Sequence, residues 1–397
     1  DIIYLMAELL VAPEKAEITA EGCTKTAYDM AMGTSQMLGC LTERLQAISA
    51  DATLTCFGQE FNPETYAIAK ADMLIKGGNA SGMKYGDTLS DDAFSGYEFD
   101  YIISNPPFGI DWKREKTQVE SEAKRGFDGR FGPGLPAISD GQMLFLLNGV
   151  RKLKTGSGRM AIIQNGSSLF TGDAGSGASE IRRYVIEGDL VEAIIQMPTD
   201  LFYNTGISTY IWVLTKGKTM QRSGRVQLID ASKCYVKRRK NIGNKRVDLD
   251  DACIRLILRA YEGFADETCE DNGLIVESKV FDNRFFGFTK VTVETAQTDE
   301  HGKPILKKGK KQPVKGASDT EIIPLSEDID AYMKKNVLPY NPLAYIDPAK
   351  DKIGYEVPFT RLFYKFTQPT PSAEIFEEIK ALEDEETILM KELFGNA

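Results

Sequence analysis

The sequence predicts an α/β protein with a mostly parallel sheet, helices on both faces of that sheet, and a smaller mixed and helical region toward the C-terminus. Two observations lead to this prediction. Short apolar runs of strand length alternate with helical patterns through residues 1–230, and such alternation is typical of a parallel sheet with crossover helices. Beyond residue 230, charged and turn-rich stretches replace the alternation. We therefore predict one domain at 1–230 and a separate C-terminal region at 231–397.

The first half of the predicted sheet contains three strands and two helices. In chain order these are strand 27–29, helix 37–48, strand 53–57 with an extension to residue 60, helix 63–76 and strand 99–104. A turn of small residues at 31–35 separates the first strand from its helix. The second helix starts after Asn62, because Asn is a capping residue and Pro63 suits the first helical position.

The second half continues the same alternation. Its predicted elements are helix 142–153, strand 159–164, helix 179–187, strand 191–197 and strand 208–215. The Gly-rich stretch 172–177 is followed by no Gly-Lys-Ser/Thr, so we interpret it as a flexible loop rather than a phosphate-binding loop.

Four polar residues lie at or just beyond the carboxyl ends of these strands: Asp29, Glu60, Asp87 and Asn105. Ligands of doubly wound sheets bind at that edge, and an acid at the tip of the second strand holds ribose hydroxyls. Asp87 is placed to accept from an adenine amine. Each residue alone is more often a turn or capping residue, but together they predict a pocket for an adenosine-bearing ligand.

The motif Asn105-Pro106-Pro107-Phe108 predicts the acceptor side of the reaction. The Asn105 amide oxygen and the Pro106 carbonyl can both accept from one amino group, and neither proline offers a competing N–H. Two acceptors draw the lone pair of the amine out of conjugation and aim it at an electrophilic methyl group, while Phe108 stacks on the ring. The alternative is a Pro-Pro strand exit with Asn as a turn former. With the adenosine pocket, the motif predicts methyl transfer from S-adenosylmethionine.

The chain resembles the modification (HsdM-type) subunit of type I restriction–modification systems, a family of adenine-N6 DNA methyltransferases. The resemblance covers essentially the whole chain and rests on stretches at 58–65, 86–92, 105–108, 130–132, 140–142, 165–170, 172–177, 180–183 and 201–209. It implies a Rossmann-like S-adenosylmethionine-dependent methyltransferase sheet in 1–230, with the N-terminal part of that domain missing before Asp1. It also implies methylation of a flipped-out adenine, since an amine inside a duplex cannot reach the donor.

The resemblance assigns residues and partners as well. It places the cofactor against Asp29, Gly33, Thr34, Ser35, Glu60 and Asp87, and the target adenine against the catalytic residues Asn105, Pro106, Pro107 and Phe108. The implied partners are DNA, a specificity subunit and a second copy of this subunit, with a nuclease–translocase subunit as an open candidate.

The cofactor loop departs from the family pattern Asp-Pro-x-x-Gly-x-Gly-Gly, because Met30, Ser35 and Gln36 stand where one Pro and two Gly are expected. A Ser forced into a left-handed conformation costs roughly 1 kcal/mol or more. This departure keeps open a catalytically impaired assembly or DNA-binding scaffold. A protein-glutamine N-methyltransferase is a further alternative. Cytosine-C5 methylation is poorly supported, because that chemistry usually uses a Cys after Pro and none of the six cysteines follows one.

Composition limits the class of protein. The 397 residues carry a net charge of −10, six cysteines without a CxxC pair, and one His. A zinc site and a disulfide framework are therefore disfavoured, and a cytoplasmic location is predicted. No apolar run is long enough to predict a membrane span, so no membrane partner is expected.

Three further segments carry predictions. The stretch 233–246 is basic and free of acids, and in it we predict DNA-phosphate contacts from Lys237, Arg238, Arg239 and Lys240. The lysine-rich stretch 303–315 is interpreted as a solvated loop. The connection 111–140 predicts a lid without regular structure in the absence of DNA, and apolar residues at helical spacing in 374–394 predict a partner-binding helix.

Overall fold

The computed structural model describes residues 1–366 and 369–395, which form two compact units, Asp1–Phe359 and Thr360–Ala397. The helices are α1 Ile2–Val11, α2 Lys15–Ile18, α3 Gln36–Ile48, α4 Pro63–Ile75, α5 Lys116–Ala123, α6 Gln142–Lys152, α7 Ser167–Phe170, α8 Gly177–Glu187, α9 Asp251–Gly263, α10 Ile329–Tyr332, α11 Phe359–Phe363 and α12 Ser372–Phe394.

The strands fall into one large sheet and several smaller ones. They are β1 Thr24–Asp29, β2 Thr53–Glu60, β3 Met83–Tyr85, β4 Tyr101–Ser104, β5 Arg159–Asn165, β6 Val191–Gln196, β7 Thr209–Thr215, β8 Arg225–Asp230, β9 Val236–Ile242, β10 Lys245–Asp248, β11 Glu267–Asp271, β12 Leu274–Asp282, β13 Gly287–Ala296, β14 Leu306–Lys307, β15 Lys310–Lys311, β16 Pro313–Pro324, β17 Ala344–Ile346 and β18 Lys352–Tyr355. The helices and strands predicted between residues 27 and 215 are confirmed to within a few residues at their ends.

The large sheet has ten strands in the order β11-β12-β8-β6-β7-β5-β4-β1-β2-β3. Strands β3, β2, β1, β4 and β5 are mutually parallel, with β1 between β2 and β4. The five-strand half therefore has the 3-2-1-4-5 order of a doubly wound sheet. Strands β11 and β12, which follow residue 230 in the chain, belong to the same sheet.

Strand β7 departs from the predicted parallel arrangement. It lies between β5 and β6 and runs antiparallel to both. The connection between β6 and β7 contains no helix, and a crossover connection, usually helical, is what a parallel neighbour requires. The sheet is therefore mixed, although the predicted α/β class with helices on both faces is confirmed.

Both faces of the sheet are covered. Alternate strand residues such as Ile103, Ile163 and Ile195 share one apolar core with α1, α3 and α9. On the other face α6 packs against β5, where the Met160 sulfur lies close to Gly149. Burial on both faces explains why these strands are apolar throughout.

The remainder of the first unit forms smaller sheets. Strand β13 pairs with β16, β17 and β18, over a small core that includes Val291 and Ile323. Strands β9 and β10 form one hairpin, and β14 and β15 form another. In the part of the chain that the structure describes, no helix is long and apolar enough to cross a membrane, and all six cysteines are free thiols.

Candidate functional site

A cavity of about 760 Å³ opens at the carboxyl ends of the parallel strands. Its walls include six of the predicted site residues: Glu60, Asp87, Asn105, Pro106, Pro107 and Phe108. They come together because β1 lies between β2 and β4, so their parallel carboxyl ends meet at one edge. The volume falls in the range of small-molecule and cofactor sites.

Asn105 is the first residue after β4, and its side chain is exposed. The residue before it, Ser104, is buried and donates a hydrogen bond of 2.7 Å from its Oγ to Asp29 Oδ1. No hydrogen bond to the Asn105 amide is formed by any residue in 1–366 or 369–395. The amide is therefore held at the edge of the cavity by its backbone and remains free to bind a ligand.

Glu60 connects the second strand to the loop that follows the first. Its Oε2 accepts from Gly33 N at 2.8 Å and its Oε1 accepts from Asn62 N at 2.8 Å. A carboxylate oxygen can accept more than one hydrogen bond. Glu60 can therefore position the loop and still accept from a ligand hydroxyl in the cavity.

Asp87 lies in a turn just after β3. Its Oδ1 accepts from Leu89 N at 2.6 Å and from Ser90 N at 3.2 Å. The next residue, Thr88, donates from Oγ1 to the Met30 carbonyl at 2.6 Å. These bonds hold the Asp87 turn against the loop after β1, so two walls of the cavity are joined directly.

Asp29 is fully buried, does not line the cavity, and supports the site from beneath. Its Oδ1 accepts from Ala31 N and Ser104 Oγ, while its buried Oδ2 has no hydrogen-bond partner. Burial raises the pKa of Asp29 to about 7, more than these hydrogen bonds lower it. A buried acceptor without a partner is costly, so a donor at Oδ2 would stabilise the carboxylate.

The loop after Asp29 adopts the strained conformation that its sequence suggested. Ser35 has φ of 65°, in the left-handed region, and its buried Oγ has no partner. Gly33 has φ of 53°. Gly33, Thr34 and Ser35 do not line the cavity, whereas Met30 and Ala31 do. The Met32 side chain is buried and packs against Gly58, so of the two loop methionines only Met30 borders the cavity.

The connection 111–140 is folded, which corrects the expectation of a lid without regular structure. It contains α5, and its apolar anchors Trp112, Val119 and Phe131 are buried. The Trp112 Nε1 donates to the Ala137 carbonyl at 3.0 Å. The sequence did contain a signal for this packing: a few widely spaced apolar residues within an otherwise charged stretch.

The same connection supplies cavity residues that the sequence did not single out, including Trp112, Arg114 and Glu115. Burial raises the pKa of Glu115, and the neighbouring Asp87 carboxylate raises it further. Phe202 and Asn204 also line the cavity. Their stretch, 201–209, contributed to the family resemblance without being assigned to the site.

Arg130 fastens this connection to the domain. Its side chain is 7% exposed, and the guanidinium donates to the carbonyl oxygens of Thr88 at 2.6 Å and Leu89 at 3.0 Å. It also contacts both Glu122 carboxylate oxygens and Asn148 Oδ1. The segment that carries Glu115 and the turn that carries Asp87 are therefore held together by one side chain.

The predicted DNA contacts lie on β9, in the hairpin with β10. Lys237, Arg239 and Lys240 are exposed, whereas Arg238 donates from Nη1 to both Asp248 oxygens at 2.6 and 2.5 Å. Arg238 is therefore already paired.

The predicted apolar positions of α12, in the second unit, are all exposed: Ile375, Ile379, Leu382, Leu389 and Leu393.

Comparison with known proteins agrees with this geometry. Residues 1–300 match the family profile described as N-6 DNA Methylase. The Type I restriction enzyme MjaIX methylase subunit of Methanocaldococcus jannaschii is 28% identical over 267 residues, which cover 66% of this chain and 44% of that protein. The HindI methylase subunit of Haemophilus influenzae is 27% identical over 319 residues, or 78% of this chain and 67% of that one. The matched region is thus less than half of the first relative.

Solved structures give the same result for the fold. The type I restriction–modification methyltransferase subunit from Streptococcus thermophilus superposes with a TM-score of 0.57 at 27% identity, over 71% of this chain and 55% of that one. The EcoKI M protein superposes with a TM-score of 0.52 over all of this chain and 72% of that one, at 17% identity, which supports the fold alone. With the profile match over residues 1–300, the family predicted from the sequence is confirmed, and this chain belongs to the N-6 DNA methylase family.

Proposed function

We propose that this chain is the S-adenosylmethionine-dependent adenine-N6 DNA methyltransferase subunit of a type I restriction–modification complex. The observation that carries the proposal is a single cavity that joins Glu60 and Asp87, suited to adenosine, to the Asn105 motif, suited to an amine. Two of the residues predicted for the cofactor and all four predicted for the target adenine thus border one space, as direct methyl transfer requires.

The residues present fit the cofactor. Glu60 keeps acceptor capacity for ribose hydroxyls, and Asp87 is held in a turn from which it can accept from the adenine amine. Asp29 is buried beneath the cavity, where its Oδ1 accepts from Ala31 N and Ser104 Oγ and so positions the loop after β1 and the strand end that carries Asn105. When bound, S-adenosylmethionine supplies an electrophilic methyl group.

The chain itself contributes orientation and hydrogen-bond acceptors. The Asn105 amide oxygen and the Pro106 carbonyl accept from the target amine, which localises its lone pair toward the methyl group. Pro106 and Pro107 restrict the backbone that presents these acceptors. Phe108 is half-buried at the cavity wall and offers a ring for stacking on an extruded adenine.

The proposal extends to domains and partners. Residues 1–230 carry the methyltransferase site, and 231–397 carry the hairpin with Lys237, Arg239 and Lys240 as candidate phosphate ligands. The exposed apolar side chains of α12 suit packing against a helix of a specificity subunit. DNA, that subunit and a second copy of this chain are the proposed partners, with a nuclease–translocase subunit as an open candidate.

One observation favours a second candidate, a scaffold of the same fold with impaired catalysis. Ser35 occupies a left-handed backbone position and buries a hydroxyl without a partner. Both features raise the free energy of the loop beneath the cofactor. In a scaffold the same cavity would be retained without useful cofactor affinity.

Calorimetric titration of S-adenosylmethionine into the 397-residue chain separates the two candidates. We expect saturable binding, and transfer of labelled methyl groups to adenine in duplex DNA once the specificity subunit is added. Asn105→Ala should bind cofactor normally and lose turnover by a factor of about 100 or more. Asn336→Ala, at an exposed site, is the matched control. An absence of cofactor binding would favour the scaffold, and normal turnover by Asn105→Ala would remove the catalytic assignment.

A further inference from the structure

We propose that the lysine ribbon, residues 303–315 with strands β14 and β15, binds the phosphate backbone of duplex DNA. The inference rests on the proposed function, in which DNA is the substrate. It assigns a second surface of this chain to DNA, distinct from the hairpin of β9 and β10. It also revises the interpretation of this stretch as a solvated loop.

The first supporting observation is unneutralised charge. The ribbon carries six exposed lysines and no acid: Lys303, Lys307, Lys308, Lys310, Lys311 and Lys315. In the described ranges 1–366 and 369–395, no salt bridge involves any of them. Two other lysines of this region are paired, Lys290 with Asp173 at 2.8 Å and Lys350 with Glu294 at 2.6 Å. In a protein of net charge −10, six exposed lysines with no acid among them are a local concentration of positive charge.

The second observation is a pair of opposed lysines that destabilises the ribbon when no anion is bound. Lys307 and Lys310 are directly opposite one another on the two strands. Like charges at directly opposed positions destabilise a strand pair. Lys308 in the connecting turn adds a non-glycine residue at φ of 51°. A polyanion bound against the ribbon would reduce the repulsion between these lysines. The opposed pair is therefore better explained by an anionic ligand than by a loop that contacts only solvent.

The third observation is shape. The ribbon is anchored at its base, where Gln297 N donates to Gln312 O and Ile305 N donates to Gln297 O, both at 2.8 Å. Tyr345 Oη donates to the Lys311 carbonyl at 3.1 Å. A two-stranded β-ribbon fits the major groove of B-DNA. Lysine is a flexible point charge that neutralises phosphates, so we expect contacts that do not depend on base sequence.

The basic hairpin at 233–246 offers less free charge than its sequence suggests. Arg238 is paired with Asp248, and the buried Lys245 is paired with Asp1 at 2.7 Å. Its remaining cations, Lys237, Arg239 and Lys240 among them, are exposed. The two surfaces can therefore be compared by removing three positive charges from each.

The experiment measures binding of the 397-residue chain to a fluorescent duplex of arbitrary sequence over a range of salt concentrations. Three variants change the net charge equally. The ribbon variant is Lys307→Gln, Lys308→Gln and Lys310→Gln, and the hairpin variant is Lys237→Gln, Arg239→Gln and Lys240→Gln. The control is Lys15→Gln, Lys334→Gln and Lys335→Gln, at exposed sites without ion pairs in the described residues.

We expect the ribbon variant to lower the slope of log K against log salt by about 2 to 3, because each phosphate contact contributes about 0.9. Affinity at low salt should fall about tenfold or more, with the control unchanged. An unchanged slope for the ribbon variant, or no duplex binding by the wild-type chain, overturns the inference. Stronger binding of the ribbon to polyglutamate than to duplex at equal charge would overturn DNA as its partner.

A single substitution separates binding from stability. Lys310→Glu places an acid opposite Lys307 and should stabilise the ribbon while weakening DNA binding severalfold. A gain in stability with unchanged DNA binding would show an ordinary solvated loop. Cofactor titration is independent of these readouts. A chain that loses duplex binding in the ribbon variant but never binds S-adenosylmethionine would refute the proposed function and leave the ribbon assignment intact.

Discussion

Arg130 donates a hydrogen bond of 2.6 Å to the carbonyl oxygen of Thr88, across 42 residues of sequence. Thr88 follows Asp87 and in turn bonds to the Met30 carbonyl. The guanidinium thereby connects the 111–140 segment to the turn that presents Asp87 and, through it, to the loop after β1. Because the fork of an arginine can satisfy several acceptors at fixed angles, Arg130 positions three walls of the cavity relative to one another.

Replacing Arg130 should weaken cofactor binding more than it slows turnover. Arg130→Gln leaves buried carbonyls and Glu122 without a cation, at a cost to stability on the order of 3 kcal/mol. Arg130→Lys keeps the charge but not the fork, so it should be intermediate in cofactor affinity. The KM for S-adenosylmethionine should rise more than kcat falls, and hydrogen exchange across 111–140 should accelerate. Arg125→Gln, exposed in the same segment, is the control. An unchanged KM in Arg130→Gln would show that the hydrogen bonds of Arg130 do not affect cofactor binding in the cavity.

The buried Asp29 should make stability fall as pH rises. Its pKa in the folded protein is raised to about 7 from an ordinary 3.8, so the folded state binds the proton more tightly than the unfolded state. The free energy of unfolding attributable to Asp29 is therefore highest below about pH 4 and is lost progressively up to about pH 7.

Asp29→Asn should remove this dependence, because an amide stays neutral and its oxygen can still accept from Ala31 N and Ser104 Oγ. Denaturant unfolding at several pH values is the measurement. Above pH 7 the free energy of unfolding of the variant should exceed that of wild type by an amount on the order of 3 kcal/mol. This difference should shrink toward pH 4. Asp51→Asn, at an exposed site, is the control. Parallel pH profiles for Asp29→Asn and wild type would contradict the raised pKa.

Ser35→Gly should stabilise the protein and improve cofactor affinity. Glycine adopts φ of 65° without strain and removes a buried hydroxyl that has no partner. The expected gain is about 0.5 to 1 kcal/mol, reduced by the extra freedom of glycine in the unfolded chain. Gln36 is different, since it begins α3 and glycine there would weaken the helix.

Thermal unfolding and cofactor titration check the Ser35 prediction. Ser49→Gly is a matched control, because Ser49 has φ of −147° and gains nothing from glycine. A loss of stability in Ser35→Gly equal to that in Ser49→Gly would show that the left-handed conformation carries no strain. Unchanged cofactor affinity would show that the loop departures are harmless to binding.

Helix α12 should be required for assembly with the specificity subunit. Leu382→Glu with Leu389→Glu places charges on the exposed apolar positions and should weaken co-purification of the partner at least tenfold. Glu378→Gln with Glu385→Gln alters acidic positions of the same helix and serves as the control. Methyl transfer should fall in step with assembly. Undiminished assembly after both leucine substitutions would remove this helix from the interface.

The sequence by itself determined the α/β class, most element boundaries in 27–215 and the family. Periodicity, caps such as Asn62 with Pro63, and apolar strand runs are local signals. The alignment of Glu60, Asp87 and Asn105 at one edge also followed from sequence, because parallel strands bring their carboxyl ends together. The motif at 105–108 could be found in the sequence alone, since its four residues are consecutive.

Tertiary structure decided what depends on contacts between distant residues. The direction of β7 depends on how its connection from β6 returns along the sheet. The burial of Asp29, the clamp of Arg130 on Thr88, and the pairing of Arg238 with Asp248 each join segments that no local pattern relates. The lysine ribbon shows the same division: its composition is visible in the sequence, but the opposition of Lys307 and Lys310 is not. Local propensity acts over a few residues, whereas burial and charge pairing depend on which surfaces the folded chain brings into contact.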